Sequence, residues 1–208
     1  MTHYRPYTPM VEVLKPGTLG DVQLSQFTVS QEEEARSNIR QVVTQGRETT
    51  VRAGSYMKLT VGGTLMMSDT QMEQSSNMEV VDKARGDVLI AGLGLGLILM
   101  PILANPVVTS VTVIENNSNV VNLVAPTLQA CEGGEKLVVI HADIREWKPK
   151  RGSRWHTIYF DIWPFVCEDN LDEMDELHER FKNYRVKGGW MGSWQRKKLQ
   201  NLRWMRSG

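Results

Sequence analysis

Cysteine is almost absent: Cys131 and Cys167 are the only two in 208 residues. They match neither a zinc spacing nor a disulfide framework, so a small disulfide-stapled fold is excluded and a reducing, cytoplasmic setting is expected. Each reads as a small buried hydrophobe. Histidine is scarce as well, and His3, His141, His156 and His178 show no ligand spacing, so no metal site is expected. An excess of either charge is missing: 24 basic residues face 24 acidic ones, which leaves no overall field to draw in nucleic acid or an anionic membrane. The opening "MTHYRPYTPMVEVLKPG" lacks the apolar core of a signal peptide, so secretion is not expected. Val88 to Ala104 carries no charge, but its 17 residues are fewer than the roughly 20 of a spanning helix. The same run holds three glycines and Pro101 and lacks an aromatic belt or flanking Lys and Arg clusters, so no membrane span is expected. No internal repeat or low-complexity tract appears.

What is present is a change of pattern along the chain. Ser30 and Glu33 form a capping box, and Ala35, Ile39, Val42 and Val43 then share one helical face up to Gly46. From Glu48 to Met67 the composition is β-type, broken at Ala53-Gly54 and Gly62-Gly63, as in hairpins. From Asp87 onward strands and helices alternate: strand "DVLIAG", helix "LGLILMPILAN", strand "SVTVIE", helix "NSNVVNLVAPTLQAC", strand "KLVVIHA", strand "WHTIYFDIW" and helix "NLDEMDELHERFKNY". Such alternation, with continuous Val, Leu and Ile runs, implies an α/β fold whose parallel sheet is covered on both faces. Residues 1–80 are expected to form a helix and β-hairpin region, and 81–208 a Rossmann-like domain.

Ligands of such sheets bind beyond the carboxyl ends of the strands, beside the first one. There stand Gly92, Gly94 and Gly96, which permit a tight turn and a close ligand, and whose following helix offers its amides to a carboxylate or phosphate. Glycines at such a place also serve helix-on-strand packing. A dinucleotide fingerprint needs a further glycine at the position of Leu97, so the pattern is G-x-G-x-G instead. Glu115 ends the next strand, where a carboxylate can accept from both hydroxyls of a ribose or simply face solvent. Asp143 in "IHADIREW" follows the third strand and Asp161 in "DIWPF" follows the fourth.

Over about residues 60 to 192 these four motifs, in this order, resemble class I S-adenosylmethionine-dependent methyltransferases. The resemblance implies S-adenosylmethionine as cofactor, with Gly92, Leu93, Gly94 and Gly96 around its methionine part and Glu115 and Asn116 at the ribose. Asp143 and Ile144 would meet the adenine, and Asp161 with Trp163 the reacting centre. Trp163 is open to a second reading as core filler. Within the superfamily the hairpin region and the strands "VLIAGLGLG" and "VTVIE" look like those of spermidine synthases. Those enzymes rely on an Asp inside the glycine loop and a second Asp after the fourth strand. Leu95, Trp163 and Pro164 stand at those places here, so the carboxylates that would hold a diamine are missing. The expected activity is therefore methyl transfer to an unidentified acceptor. Aminopropyl transfer, or cofactor binding without catalysis, are the alternatives.

Two segments stay ambiguous. Asp69, Gln71 and Glu73 either line the substrate side of the pocket or occupy a surface turn. Residues 168–179 hold seven acids and no base, whereas 181–208 hold eight bases, Trp190, Trp194 and Trp204 and no acid. Such a tail suits base stacking and phosphate contacts, or else forms a surface complementary to the acidic helix. The second reading and a small-molecule acceptor are preferred. After Asp161 there is room for one more strand around "RVKGGWMGSW", which would leave a sheet shortened at its C-terminal side, with an open edge beside exposed tryptophans. Either the N-terminal 60 residues or a second subunit would cover that edge, and a homo-oligomer is expected.

Overall fold

The computed structural model describes residues 7–43 and 51–207. A short helix, α1 (Met10–Val13), leads into an antiparallel sheet of β1 (Gly17–Leu19), β2 (Val22–Val29), β3 (Gly54–Val61) and β4 (Thr64–Ser68), in that order. Between β2 and β3 runs α2 (Gln31–Val43), which opens on the expected capping box. The Ser30 amide donates to Glu33 Oε2 at 2.7 Å, and the Glu33 amide donates to Ser30 Oγ at 3.2 Å, satisfying two amides of the helix start. The expected apolar face at Ile39, Val42 and Val43, the stop at Gly46 and the strand start at Glu48 lie outside the residues whose side chains are described. β3 and β4 form a hairpin turning on Gly62 and Gly63, with φ of 56° and 78°.

Asp69 departs from both sequence expectations. It is buried, 2% exposed, and its carboxylate accepts from the amides of Met10 and Met57, both at 2.7 Å. It therefore fastens α1 to the hairpin and is not among the residues that line the cavity at the strand ends. Burial pushes its pKa up, and the two amides pull it back only in part. Two short helices follow, α3 (Gln71–Ser76) and α4 (Met78–Lys83).

The second sheet contains β5 (Gly86–Ala91), β6 (Val108–Glu115), β7 (Leu137–His141), β8 (Trp155–Phe160) and β9 (Arg185–Ser193), all parallel, in the order β7-β6-β5-β8-β9. Helices α5 (Leu99–Leu103), α6 (Ser118–Gln129), α7 (Asn170–Phe181) and α8 (Arg196–Ser207) connect or follow the strands. β5 is central, and Val88 to Ala91 are wholly buried. The pleat sends Val88 and Ile90 into a core shared with α5, α6 and the N-terminal sheet, and Leu89 and Ala91 into a second core against Phe160 and α7. On α7 the apolar stripe is Leu171, Met174, Leu177 and Phe181, spaced three or four apart and all buried.

Three expectations need correction here. The helix after the glycine loop is five residues long and begins at Leu99, because Gly94 and Gly96, at φ 51° and 73°, hold the preceding chain in the left-handed region. Cys167 is exposed and Cys131 half-buried, so neither is the buried hydrophobe expected. Trp190 and Trp194 are not exposed: Trp190 stacks on Tyr159 with centroids 6.0 Å apart, and Trp194 Nε1 donates to Ser76 Oγ at 3.0 Å. Only Trp204 stands out, 77% exposed.

The charged extremes of the C-terminal part meet each other. Arg203 pairs with Asp172 at 3.0 Å and Arg196 pairs with Asp175, so α8 and α7 are complementary surfaces. Among the described residues β9 pairs only with β8. The N-terminal sheet sits elsewhere, against α6, where Asn119 donates to Asp21 at 3.4 Å. No helix among the described residues is long and apolar enough to cross a membrane.

Candidate active site

The strand order reverses between β5 and β8, and a cavity of about 230 Å³ opens beyond their carboxyl ends. Gly92, Leu93 and Gly94 from the loop after β5, Glu115 and Asn116 after β6, Asp143 and Ile144 after β7, and Asp161 and Trp163 after β8 all line it. Gly96 does not. A Cβ there would stand 2.3 Å from Leu128 Cδ1, so this glycine lets the loop pack on α6 and is not a ligand contact.

Gly92 is required by the crossing of two chains. Its φ is 97°, and a Cβ would lie 2.1 Å from the Asp161 carbonyl oxygen. The close approach joins the glycine loop to the turn after β8, and the Asp161 amide in turn donates to the Ala91 carbonyl at 2.8 Å. The loop amides are largely engaged within the protein. Leu93 N donates to Glu115 Oε2 at 2.8 Å, and Leu95 N points to Met67 Sδ at 3.4 Å. With α5 only five residues long, the expected helix N-terminus is not available as an anion site.

Glu115 is 8% exposed. Besides the Leu93 amide it accepts from Asn117 N at 2.8 Å, through its other oxygen. Each carboxylate oxygen carries two lone pairs, so one on each remains for a ligand hydroxyl. Asp143 accepts from Arg145 N at 2.8 Å, and the Arg145 guanidinium lies 3.5 Å away. Arg145 is also held by Glu173 at 2.5 Å. Trp163 is buried in the α7 core, and its Nε1 donates to Glu173 Oε2 at 2.6 Å. Its ring walls the cavity while its only side-chain donor is taken by Glu173.

Asp161 differs from these acids. Burial, then the charge of Glu73, raise its pKa to about 7. Glu73 on α3 is raised to about 7 as well, by burial. Among the described residues neither side chain has a hydrogen-bond or ion-pair partner.

The sequence reading did not foresee the wall supplied by the hairpin. Leu59 and Val61 on β3, and Met66 and Met67 on β4, line the cavity. Met67 Sδ stands 2.7 Å from where a Gly94 Cβ would be, so its thioether covers the glycine loop. The two-residue spacing of Leu59 and Val61 was the available signal, since it places both on one face of a strand. No cluster of metal-ligating side chains occurs among the described residues.

No protein-family model matches the chain, and no curated protein matches it. Solved structures do. The CcbJ methyltransferase from Streptomyces caelestis matches at 17% identity and a TM-score of 0.46, over 57% of this chain and 47% of that one. The glycopeptide N-methyltransferase MtfA, in complex with S-adenosyl-L-methionine, matches at 14% identity and a TM-score of 0.44, over 57% and 47%. The N-methyltransferase NodS from Bradyrhizobium japonicum WM9 matches at 13% identity and a TM-score of 0.46, over 59% and 66%. The matched part thus spans about half of the first two chains and 66% of the third.

Proposed function

We propose that the chain binds S-adenosylmethionine in this cavity and transfers its methyl group to a small-molecule acceptor. The observation that carries the reading is the convergence of the glycine loop, Glu115, Asp143 and Asp161 from four neighbouring strand ends onto one cavity. The residues fit the cofactor's chemistry. Gly92 and Gly94 leave backbone room for the methionine part, the free lone pairs of Glu115 beside Asn116 suit the two ribose hydroxyls, and Asp143 with Ile144 offers an acceptor and an apolar face to adenine. Leu97, in the cavity wall, fills the place where a dinucleotide needs glycine.

When bound, the sulfonium cofactor supplies a methyl group that leaves with its C–S electron pair remaining on sulfur. The protein contributes positioning. Asp161, tied by its amide to β5, stands where a nucleophile would meet the cavity and is suited to take its proton. Trp163, fixed by Glu173, shapes that wall without a hydrogen bond of its own to give.

The free thiols of Cys131 and Cys167 support a reducing, cytoplasmic setting. The outer edge of β9, unpaired among the described residues, supports a homo-oligomer. The spermidine synthase-like alternative keeps one supporting feature, the β-hairpin wall over the glycine loop. Leu95, wholly buried in the core, offers nothing to aminopropyl chemistry.

A thermal-shift series with S-adenosylmethionine, S-adenosylhomocysteine, decarboxylated S-adenosylmethionine and NAD tests this function. Stabilisation by the first two is expected, and stabilisation by NAD alone overturns the reading. Given the decarboxylated cofactor and putrescine, no spermidine is expected.

A further inference from the structure

The loops that carry Asp143 and Trp163 leave the sheet far from one another. β7 and β8 are separated by β6 and β5, three strand spacings or about 14 Å. Helix α7 closes that gap. Glu173, in its first turn, accepts from Arg145 Nε at 2.5 Å through one carboxylate oxygen and from Trp163 Nε1 at 2.6 Å through the other. Two turns on, Arg180 donates to the carbonyls of Ile144, Arg145 and Trp147, which fixes the loop after β7 to the same helix. Asp143 completes the chain, 3.5 Å from the Arg145 guanidinium. Asp143, Arg145 and Trp163 line the cavity, whereas Glu173 is not among the lining residues. The chain of contacts therefore starts and ends on ligand space and passes through the protein between.

Resting on the function proposed above, we infer that Arg145 and Glu173 are positioning residues that link the end proposed for adenine to Trp163, so that cofactor binding sets the wall met by the acceptor. The link follows from how the guanidinium is shared. Its two acids hold it unequally, Glu173 at 2.5 Å and Asp143 at 3.5 Å, so the Asp143 contact is the one that yields. An adenine amine donating to Asp143 uses the same oxygens that draw the guanidinium. Arg145 is then left more fully to Glu173, whose other oxygen holds the indole.

Glu173 is suited to the middle place. Burial pushes its pKa up, but the bonds from Arg145 and Trp163 outweigh burial and keep the carboxyl below its ordinary range. It is therefore charged at neutral pH and holds both donors at once. Because the ligand interacts differently with the two arrangements of Arg145, it shifts their balance, and the acceptor wall acts back on the adenine end by the same factor.

The test is two-dimensional proton–nitrogen NMR of the six tryptophan indoles. Spectra are taken of the free protein, of protein saturated with S-adenosylhomocysteine, and of protein saturated with its 6-deamino analogue, in which hydrogen replaces the exocyclic amine. The Trp163 peak is the one lost in Trp163→Phe. In the wild type S-adenosylhomocysteine is expected to displace that peak further to low field, and the 6-deamino analogue to leave it near its free position. Arg145→Met is expected to abolish the displacement while S-adenosylhomocysteine still binds by calorimetry. Glu173→Gln, the second variant, is expected to move the peak to high field with and without ligand. A wild-type peak that does not move overturns the link and leaves the cofactor reading standing. So does a displacement of equal size with both ligands, or one that persists in Arg145→Met. Absence of S-adenosylhomocysteine binding to the wild type overturns both.

Discussion

The two ends of the cavity treat their acids in opposite ways. At the end formed by β6 and β7, each carboxylate is already answered: Glu115 by two amides, Asp143 by the amide and guanidinium of Arg145. At the end formed by β8, the Asp161 side chain has neither a donor nor a cation among the described residues, and burial with the charge of Glu73 raises its pKa to about 7. Partnered acids in fixed positions suit recognition of a neutral nucleoside, since they order the acceptor oxygens before the ligand arrives. Unpartnered acids store electrostatic tension that a positively charged or proton-giving ligand relieves. Under the proposed function, this difference would separate the end that holds the nucleoside from the end that meets the acceptor.

The largest expected effect comes from the joint between the ends. Gly92→Ala would force a Cβ into the Asp161 carbonyl at a left-handed φ, and a loss of about 2 to 5 kcal/mol in folding stability is expected by urea unfolding. Stability within error of the wild type would show that the two ends are not held through this contact.

Glu115→Ala attacks the partnered end. It removes the acceptor proposed for two ribose hydroxyls and also frees the Leu93 amide, so S-adenosylhomocysteine affinity should fall by about 2 to 4 kcal/mol, at least tenfold, in a calorimetric titration. Unchanged affinity in a folded variant would place the ligand elsewhere.

The unpartnered end should show itself in pH dependence. Asp161 and Glu73, both raised to about 7, bind protons more tightly folded than unfolded. Their contribution to stability is therefore present below the ordinary carboxylate range and lost as pH rises through about 7. Urea unfolding at pH 5 and pH 8 should show less of this decline in Asp161→Asn and in Glu73→Gln than in the wild type. An equal decline in all three would mean that these carboxyls are not the source.

The smallest effect tests the bond between α3 and Trp194. Trp194→Phe keeps most of the ring packing but removes the bond to Ser76, at a cost of about 1 kcal/mol in stability. Because it loosens α3 and not the glycine loop, S-adenosylhomocysteine affinity should stay as it was. A loss of that affinity equal to the one in Glu115→Ala would merge the two ends into one.

The partnered end was legible in the sequence because strand ends in a parallel sheet fall at fixed places in an alternating pattern. Glu115 and Asp143 each follow a Val- and Ile-rich run and Asp161 follows the aromatic run of β8, and all three arrive at the cavity. The unpartnered end was only half legible. Asp69 and Glu73 are four residues apart with similar surroundings in the sequence, yet one staples α1 to the hairpin and the other sits half-buried on α3, where its charge raises the pKa of Asp161. What separates them is the bridge from Asn77 to Tyr159, spanning 82 positions, which no local pattern announces. Met67 is a similar case, since a methionine in a hairpin gives no sign that it will cover a glycine loop. The length of α5 was misjudged because an apolar run after glycines looks helical, whereas the left-handed φ values of Gly94 and Gly96 postpone the first helical turn to Leu99.

The most direct test of the central claim is a calorimetric titration of the wild-type protein with S-adenosylhomocysteine and, separately, with NAD. The account predicts a saturable one-site isotherm with S-adenosylhomocysteine and no heat of binding with NAD. Saturable NAD binding without any for S-adenosylhomocysteine would contradict it.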